Sequence, residues 1–224
     1  MSLWQPLYLR WLSYRALPVV RDYYQSLLPL LQQPLAQVPL IAVDMEMTGL
    51  KPEQHQIISV GLVPIVQRQL RLAAAQHQLV GIAGSVGQSA TIHGIVDRHL
   101  QSPALSQQDL LPWLLQQAMG KLMIFHHAPL DLAFLTALAQ LQGDKRLHFP
   151  VVDTLQIERR RLLRERHILP QGSLRLGACR QRYGLPVYMA HSALMDAIAC
   201  GELFLAQTAA INPAVAVNEF LWWP

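Results

Sequence analysis

Four carboxylates and one histidine have the side-chain chemistry of a metal-dependent hydrolytic site. They are Asp44 and Glu46 in VDMEMTGL, Asp131 in FHHAPLDLAFL, and His191 and Asp196 in HSALMDA. Neighbouring carboxylates repel one another and resist burial, and a divalent cation removes that conflict. Oxygen ligands favour Mg²⁺ or Mn²⁺ over zinc. Imidazole exchanges protons near neutral pH, so His191 is a candidate base for activating a water molecule.

The spacing of these residues indicates how the chain could bring them together. Asp44 and Glu46 are two apart in a predicted strand, so both side chains point to the same side. Asp131 and Asp196 fall in the first turns of predicted helices, where acids are also common because they interact with the helix dipole. If the helix starts converge at one sheet edge, four carboxylates can hold two metal ions roughly 3.5–4 Å apart.

The composition is that of a folded domain. The chain has 224 residues, of which 52% are hydrophobic and 14% charged, which argues against disorder. No apolar run approaches the ~18 residues that a membrane span needs, so we expect a soluble, cytoplasmic protein that makes no membrane contact. Cys179 and Cys200 form no CxxC pair, which disfavours a zinc site and predicts two reduced thiols.

The order of the elements predicts a mixed sheet flanked by helices. Three strands that meander at the start predict antiparallel pairing, and the later strands alternate with helices, which predicts parallel additions. The five predicted strands cover residues 38–47, 56–66, 70–80, 121–125 and 149–152. We expect three regions: an N-terminal helical extension (1–37), a central domain (38–207) and a C-terminal tail (208–224).

Residues 1–37 carry aromatic side chains at helical spacing. The pattern predicts two short helices that end near Pro34. These helices could pack on the central domain or dock a partner such as a polymerase. Packing is favoured, because aromatic stripes on helices are more often core than interface.

A short stretch is rich in arginine, although the formal net charge of the chain is only +4. The planar guanidinium group suits phosphate. The stretch could track the phosphates of a nucleic acid beside the site, or it could be a solvated helix face with a few ion pairs. Its members are Arg159, Arg160, Arg161, Arg164, Arg166, Arg175, Arg180 and Arg182.

Four segments together resemble the motifs of the DEDDh superfamily of DnaQ-like 3′–5′ exonucleases. This group includes the proofreading epsilon subunit of bacterial DNA polymerase III and RNase T. The segments are VDMEMTGL, IHGI (Ile92 to Ile95), FHHAPLDLAFL and HSALMDA, and the resemblance covers about residues 38–207. It implies an RNase H-like fold with a mixed five-stranded sheet and a single-stranded DNA or RNA 3′ end as substrate.

The same resemblance implies roles for individual residues. Two divalent ions, Mg²⁺ with Mn²⁺ as an alternative, would be held by the ligand positions Asp44, Glu46, Asp131 and Asp196. His191 matches the general base of the family. Thr48, Gly49 and Leu50 would contact the terminal nucleotide, and His93 would lie near the 3′ end.

Two features of the motifs point to different branches of the superfamily. DMEMTGL resembles the oligoribonuclease branch, which trims very short RNA, whereas IHGI and FHHAPLD resemble epsilon. Met47 and His127 stand where the family usually has Thr and Asn. Three hypotheses follow: an exonuclease on single-stranded DNA, an oligoribonuclease-like enzyme, and a nucleic-acid-binding or polymerase-docking module with incidental catalysis.

Overall fold

The computed structural model describes residues 4–14, 16–85, 95, 104–144, 147–165, 168–188 and 191–223. In these ranges the strands are β1 (Leu40–Met47), β2 (Ile57–Val66), β3 (Gln69–Leu70), β4 (Gln76–Leu79), β5 (Leu122–Phe125), β6 (Val151–Asp153) and β7 (Leu221–Trp222). The α-helices are α1 (Trp4–Ser13), α2 (Pro18–Leu27), α3 (Gln107–Ala118), α4 (Ala128–Leu141), α5 (Thr154–Glu165), α6 (Leu176–Arg182) and α7 (Ala193–Gln207).

The strands form one mixed sheet in the order β3-β2-β1-β5-β6-β7, and β4 also pairs with β2. Strand β1 is antiparallel to β2 and parallel to β5, which is parallel to β6. Two parallel strands that are neighbours in a sheet need a crossover connection. Helix α4 lies in the crossover connection between β5 and β6. The predicted mixed sheet, antiparallel at its start with parallel additions, is confirmed.

Two parts of the sheet differ from the prediction. The strand predicted over 70–80 is interrupted by a 3-10 helix, Leu72–Ala74, so that β3 and β4 pair separately with β2. The run of three alanines there has no β-branched side chain that would favour a strand. The C-terminal tail adds β7, which is antiparallel to β6. Two residues are too few for a periodic pattern to reveal.

Strand β1 divides its side chains between the candidate site and the core. Ala42, Asp44 and Glu46 share one face, because side chains alternate along a strand. Helix α7 lies against that face, since a Cβ on Gly201 would stand 3.3 Å from the Cβ of Ala42. The opposite face places Val43 in the main hydrophobic core, with residues of α2, α3 and α4.

Helix α2 packs into this same core, as the aromatic pattern indicated. Tyr23 and Tyr24 are buried, and their rings meet Phe149 at centroid distances of 5.5 and 5.8 Å. The Tyr23 hydroxyl donates to the carbonyl of Lys121 at 3.1 Å, and the Tyr24 hydroxyl accepts from the His148 amide at 3.1 Å. Both buried hydroxyls are therefore satisfied, which fixes how α2 lies on the sheet.

Helix α1 is more exposed than α2. Trp4, Trp11 and Tyr14 are largely accessible to solvent, while the rings of Trp4 and Tyr8 contact Trp223 of the C-terminal tail. The two ends of the chain therefore meet on one surface. Within the described ranges, no helix combines the length and the apolar character needed to cross a membrane.

A side-chain cap begins α3, whereas α6 has none. Ser106 caps α3 by accepting from the Asp109 amide at 3.2 Å. Pro112 is tolerated inside α3, because the carbonyl of Gln108, which the proline cannot bond, accepts from the Gln142 side chain at 2.8 Å. Helix α6 starts at Leu176, directly after its N-cap residue Arg175, which makes no side-chain cap bond.

Candidate active site

Three of the predicted carboxylates meet at the sheet edge. Asp44 and Glu46 come from β1, and Asp196 comes from the first turn of α7. One carboxylate oxygen of each lies within 4.8 Å of the others. All three side chains are half-buried. A common cation could bind oxygens at this separation, and carboxylate oxygens are the ligands that Mg²⁺ and Mn²⁺ prefer.

A glycine in the neighbouring strand permits this close meeting. Gly61 of β2 pairs with Asp44 in the sheet register. A Cβ at Gly61 would overlap the backbone carbonyl of Ala193 at the start of α7. Any larger residue there would therefore push away the helix turn that carries Asp196. The sequence analysis did not identify Gly61, because nothing in the apolar strand sequence shows that a helix touches it.

Asp131 lies near the three carboxylates but outside their closest group. It occupies the first turn of α4 and is 7% exposed. Burial raises the pKa of Asp44 well above its usual range, and repulsion from Asp131, Asp196 and Glu46 adds to the increase. Asp131 is therefore close enough to Asp44 to interact electrostatically, in a region of low dielectric constant.

The other carboxyls of the cluster are perturbed in the same direction. Burial and repulsion from Asp196 raise the pKa of Glu46 to about 7. Burial also raises the pKa values of Asp131 and Asp196. Several negative charges therefore share one partly buried site, and none of these carboxylates takes part in a described ion pair. Arg180 and His191 offset the burial of Asp196 only in part, because its pKa stays raised. This donor set fits divalent metal ions.

The raised pKa of Glu46 predicts that the metal-free protein loses stability as the pH rises. The folded protein holds the proton more tightly than the unfolded chain, whose Glu46 has the usual pKa of 4.5. The stabilisation is therefore complete below about pH 4.5 and is lost as the pH rises through about 7. Thermal unfolding in EDTA should show a falling Tm over this window.

Saturating Mg²⁺ should weaken this pH dependence, because a bound cation replaces the proton as the counter-charge. Glu46→Gln should also flatten it in EDTA. An unchanged slope in Glu46→Gln would show that other groups cause the dependence.

His191 stands at the mouth of the site. Its backbone adopts a left-handed conformation with φ 69°, and its side chain is exposed. The His191 amide donates to Asp196 Oδ2 at 2.8 Å. The residue lines the same cleft as Asp44 and Asp196. The imidazole is therefore placed where it can reach a water molecule or substrate bound at the carboxylates.

Pro186 and Tyr188 are held by an arginine, Arg180, that sequence patterns did not distinguish from its neighbours. The buried guanidinium of Arg180 donates to the carbonyls of Ala199 and Pro186 at 2.7 and 2.9 Å, and to Glu202 at 2.8 Å. It also lies 4.6 Å from the ring centroid of Tyr188, whose hydroxyl donates to Glu202 at 2.9 Å. These contacts join α6, α7 and the segment that leads to His191.

Asp153, another buried acid near the site, has a structural role. Its carboxylate accepts from the amides of His127 and Ala128, both at 3.1 Å, and from the Leu155 amide at 2.9 Å. These amides lie at the starts of α4 and α5. His127 adopts φ 81° as the N-cap of α4 and makes no side-chain cap bond. Asp153 therefore caps both helices and fixes the turn that presents Asp131.

His126 is a neutral structural link at the back of the cleft. Burial lowers its pKa to about 4. Its Nε2 lies 2.9 Å from the carbonyl of Leu174, and its Nδ1 lies 2.8 Å from the hydroxyl of Thr154. A carbonyl only accepts, so Nε2 carries the proton. The single proton of the Thr154 hydroxyl is then shared between Nδ1 and the carbonyl of Phe125, which lies 3.1 Å away. His126 thereby fixes the loop before α6 to the start of α5.

The predicted substrate contacts lie at the end of β1. Thr48 closes the turn, since its hydroxyl accepts from the Gln56 amide at 3.0 Å. Gly49 is packed so closely on His55 that a Cβ would overlap the ring, and Leu50 is 75% exposed. His93 lies outside the described residues. Of the described residues that line the cleft at Asp44, none belongs to this turn.

The cleft extends from the carboxylates toward α5 and α6. Its volume is about 1380 Å³. Beyond Asp44, Asp196 and His191, its walls come from His126 and His127 after β5, from α5, from the loop before α6 and from the first residues of α6. The part of the cleft formed by α5, this loop and α6 includes apolar residues and two arginines, among them Leu155, Arg159, Leu163, Ile168, Leu169, Leu174, Arg175 and Leu176.

Comparison with known families decides the classification. Residues 41–204 match the RNase T family model, which is described as "Exonuclease". The chain belongs to this exonuclease family. The match includes Asp44, Glu46, Asp131, His191 and Asp196. The predicted resemblance to DnaQ-like DEDDh exonucleases is thus confirmed at the level of the family.

Curated relatives share the same region. The chain is 26% identical over 166 residues to the DNA polymerase III PolC-type of Thermotoga petrophila, covering 74% of this chain and 11% of that protein. It is 29% identical over 180 residues to the DNA polymerase III subunit epsilon-like protein of Rhodobacter capsulatus, covering 79% and 24%. The chain therefore spans between about a tenth and a quarter of the length of these relatives.

Solved structures show the same fold. Cell-death related nuclease 4 superposes with a TM-score of 0.65 at 14% identity, covering 79% of this chain and 66% of that one. The nuclease domain of 3′hExo, a DEDDh family member bound to rAMP, gives 0.63 at 14% identity, with coverages of 80% and 96%. Exonuclease X in complex with 5′ overhanging duplex DNA superposes with a TM-score of 0.61 at 17% sequence identity, covering 81% of this chain and 98% of that one. The RNase H-like fold class is confirmed.

Proposed function

We propose that this chain is a metal-dependent 3′–5′ exonuclease that hydrolyses the terminal phosphodiester of single-stranded nucleic acid and releases nucleoside 5′-monophosphates. The observation that carries the proposal is the meeting of Asp44, Glu46 and Asp196 within 4.8 Å, in a chain of the exonuclease family. DNA is the favoured substrate, because the curated relatives are named as DNA polymerase III proteins.

The cofactor that suits this site is a pair of Mg²⁺ ions, with Mn²⁺ as an alternative. Asp44, Glu46 and Asp196 would supply the nearest ligands, and Asp131 would complete the set. When bound, the cations would neutralise the charge that develops on the phosphate and make a nearby water molecule more acidic. Without them, the raised pKa values of the cluster keep part of the carboxyls protonated.

The side chains of the chain then have distinct tasks. His191 accepts a proton from the attacking water, because it is exposed at the cleft and tied by its backbone to Asp196. Thr48, Gly49 and Leu50 hold the terminal nucleotide, with the exposed Leu50 as an apolar wedge between bases. His93 completes the contacts near the 3′ end. Residues 38–207 form the catalytic unit in this proposal, preceded by the helical extension 1–37 and followed by the tail 208–224.

Two alternatives remain from the sequence. An oligoribonuclease-like enzyme would turn over a diribonucleotide faster than a longer strand, as the DMEMTGL motif suggests. A docking module with incidental catalysis would use the exposed aromatic residues of α1 to bind a polymerase or other protein. Rates on a DNA decamer, an RNA decamer and a dinucleotide separate the first alternative from the proposal. Loss of a stable protein complex on replacement of the exposed Trp11 and Tyr14 by alanine would support the second.

The proposal predicts that His191→Asn lowers kcat by about 10²–10⁴-fold, the range for removal of a general base. Asparagine tolerates the left-handed conformation at φ 69°. The backbone amide of residue 191 still donates to Asp196, so only the imidazole is lost. Rates with saturating Mg²⁺ on a DNA decamer measure the effect. His77→Asn, an exposed histidine on β4, is the control. Equal rates for wild type and His191→Asn would exclude His191 as the base.

A further inference from the structure

The described arginines of the stretch separate into three groups, and Arg166 lies outside the described residues. Arg161 and Arg182 bond Glu158 at 2.8 and 2.7 Å, and the buried Arg180 bonds Glu202 at 2.8 Å. Burial alone would raise the pKa of Glu158, but hydrogen bonds from Arg161, Arg182 and Tyr183 lower it to about 2. These three arginines therefore serve the internal structure and are not a surface for phosphate.

Arg159 and Arg175 form the second group. Both are exposed, and both line the cleft that begins at Asp44 and Asp196. In the described ranges, neither side chain takes part in an ion pair or a hydrogen bond. Arg160 and Arg164, also exposed on α5, form the third group and lie outside the cleft lining. Two unpaired cations thus face the space that continues from the carboxylate cluster.

The cleft also presents apolar side chains to solvent. Leu163 is 42% exposed and Ile168 is 83% exposed, although both line a concave surface. Exposed apolar side chains beside unpaired arginines suit a ligand with flat apolar faces and regularly spaced anions. Single-stranded nucleic acid has both features.

We propose that this cleft binds the nucleotides on the 5′ side of the scissile bond, with Arg159 and Arg175 contacting their phosphates. The inference rests on the proposed function, in which the terminal nucleotide is held by the Thr48–Leu50 turn. That turn does not line the cleft, so the cleft is the space left for the remaining strand. Bases of these nucleotides pack on Leu163 and Ile168. The site therefore favours strands longer than a dinucleotide.

The test compares Arg159→Gln/Arg175→Gln with Arg160→Gln/Arg164→Gln, which removes the same charge from outside the cleft. The substrates are a DNA decamer, an RNA decamer and a dinucleotide without a terminal phosphate, whose only phosphate is the scissile one. The cleft variant should lower kcat/KM on the decamers by about 10-fold and change it less than about 2-fold on the dinucleotide. For the cleft variant, the slope of log(kcat/KM) against the logarithm of the salt concentration should be shallower by about 1.4. Each phosphate contact to a single strand contributes about 0.7 to this slope, and the variant removes two such contacts.

Equal losses on decamers and dinucleotide, or equal losses in both double variants, would overturn the cleft assignment. Fluorescence anisotropy of a labelled DNA decamer in EDTA separates this outcome from failure of the proposed function. If the wild type hydrolyses nothing but the cleft variant still binds about 10-fold more weakly, the cleft assignment stands and the exonuclease proposal fails. Unchanged binding in the cleft variant would overturn the assignment whether or not hydrolysis occurs.

Discussion

Asp44→Asn is expected to lower hydrolysis by on the order of 10³-fold while raising the Tm of the metal-free protein. Activity falls because Asp44 lies at the centre of the carboxylate cluster, where it interacts with Asp131, Asp196 and Glu46. Stability rises because a neutral amide replaces a carboxyl that, without metal, must either stay charged against these neighbours or take up a proton at neutral pH. Rates on a DNA decamer and thermal unfolding with and without Mg²⁺ measure both effects.

Asp153→Asn is the matched control, since it neutralises another buried aspartate close to the site. Asp153 accepts from backbone amides through both oxygens, and an amide nitrogen would face one of those donors. Its replacement should therefore lower the free energy of unfolding by about 1–3 kcal/mol. The Tm measured in EDTA should fall accordingly. A lower Tm for Asp44→Asn than for the wild type in EDTA would contradict the view that neighbouring carboxylates repel Asp44. Retained activity would contradict its role as a metal ligand.

Gly61→Val is expected to lower activity by about 10²-fold without removing any catalytic group. The valine side chain would overlap the carbonyl of Ala193, which forces the start of α7 away from the sheet. Asp196 moves with that turn, and a displacement of about 1 Å can cost this much rate. Overpacking should also lower the stability by about 1–3 kcal/mol.

Gly177→Ala provides the control for stability, because a Cβ there would meet nothing within 4 Å. Alanine is the better helix former, so this variant should be at least as stable as wild type. Tm values and decamer rates of both variants, at a temperature where each is folded, give the comparison. Wild-type activity in Gly61→Val would show that the approach of α7 to β2 does not position Asp196.

The sequence predicted that Asp44, Glu46 and Asp196 meet, with Asp131 nearby, but not what allows them to meet. Alternation in β1 placed Asp44 and Glu46 on one face, and the helix starts placed Asp131 and Asp196 near the same edge. The clearance at Gly61 depends on a contact with Ala193, which is distant in the chain, and no local pattern records such a contact.

The arginine stretch shows the same limit. A run of like residues predicts a charged surface, but pairing depends on the fold. Arg180 lies far from Glu202 in sequence and is buried against it, whereas Arg159 on α5 faces the cleft. The strand predicted over 70–80 was interrupted because helical preference in the alanine run competed with the strand pattern.

The most direct test of the central claim is the pattern of products from a single-stranded DNA decamer labelled at its 5′ end. With Mg²⁺, the wild type should give a ladder that shortens one nucleotide at a time and should release nucleoside 5′-monophosphates. EDTA and Asp44→Asn should each abolish the ladder. Internal cleavage, or a ladder that persists in Asp44→Asn, would contradict a 3′–5′ exonuclease site built on Asp44, Glu46 and Asp196.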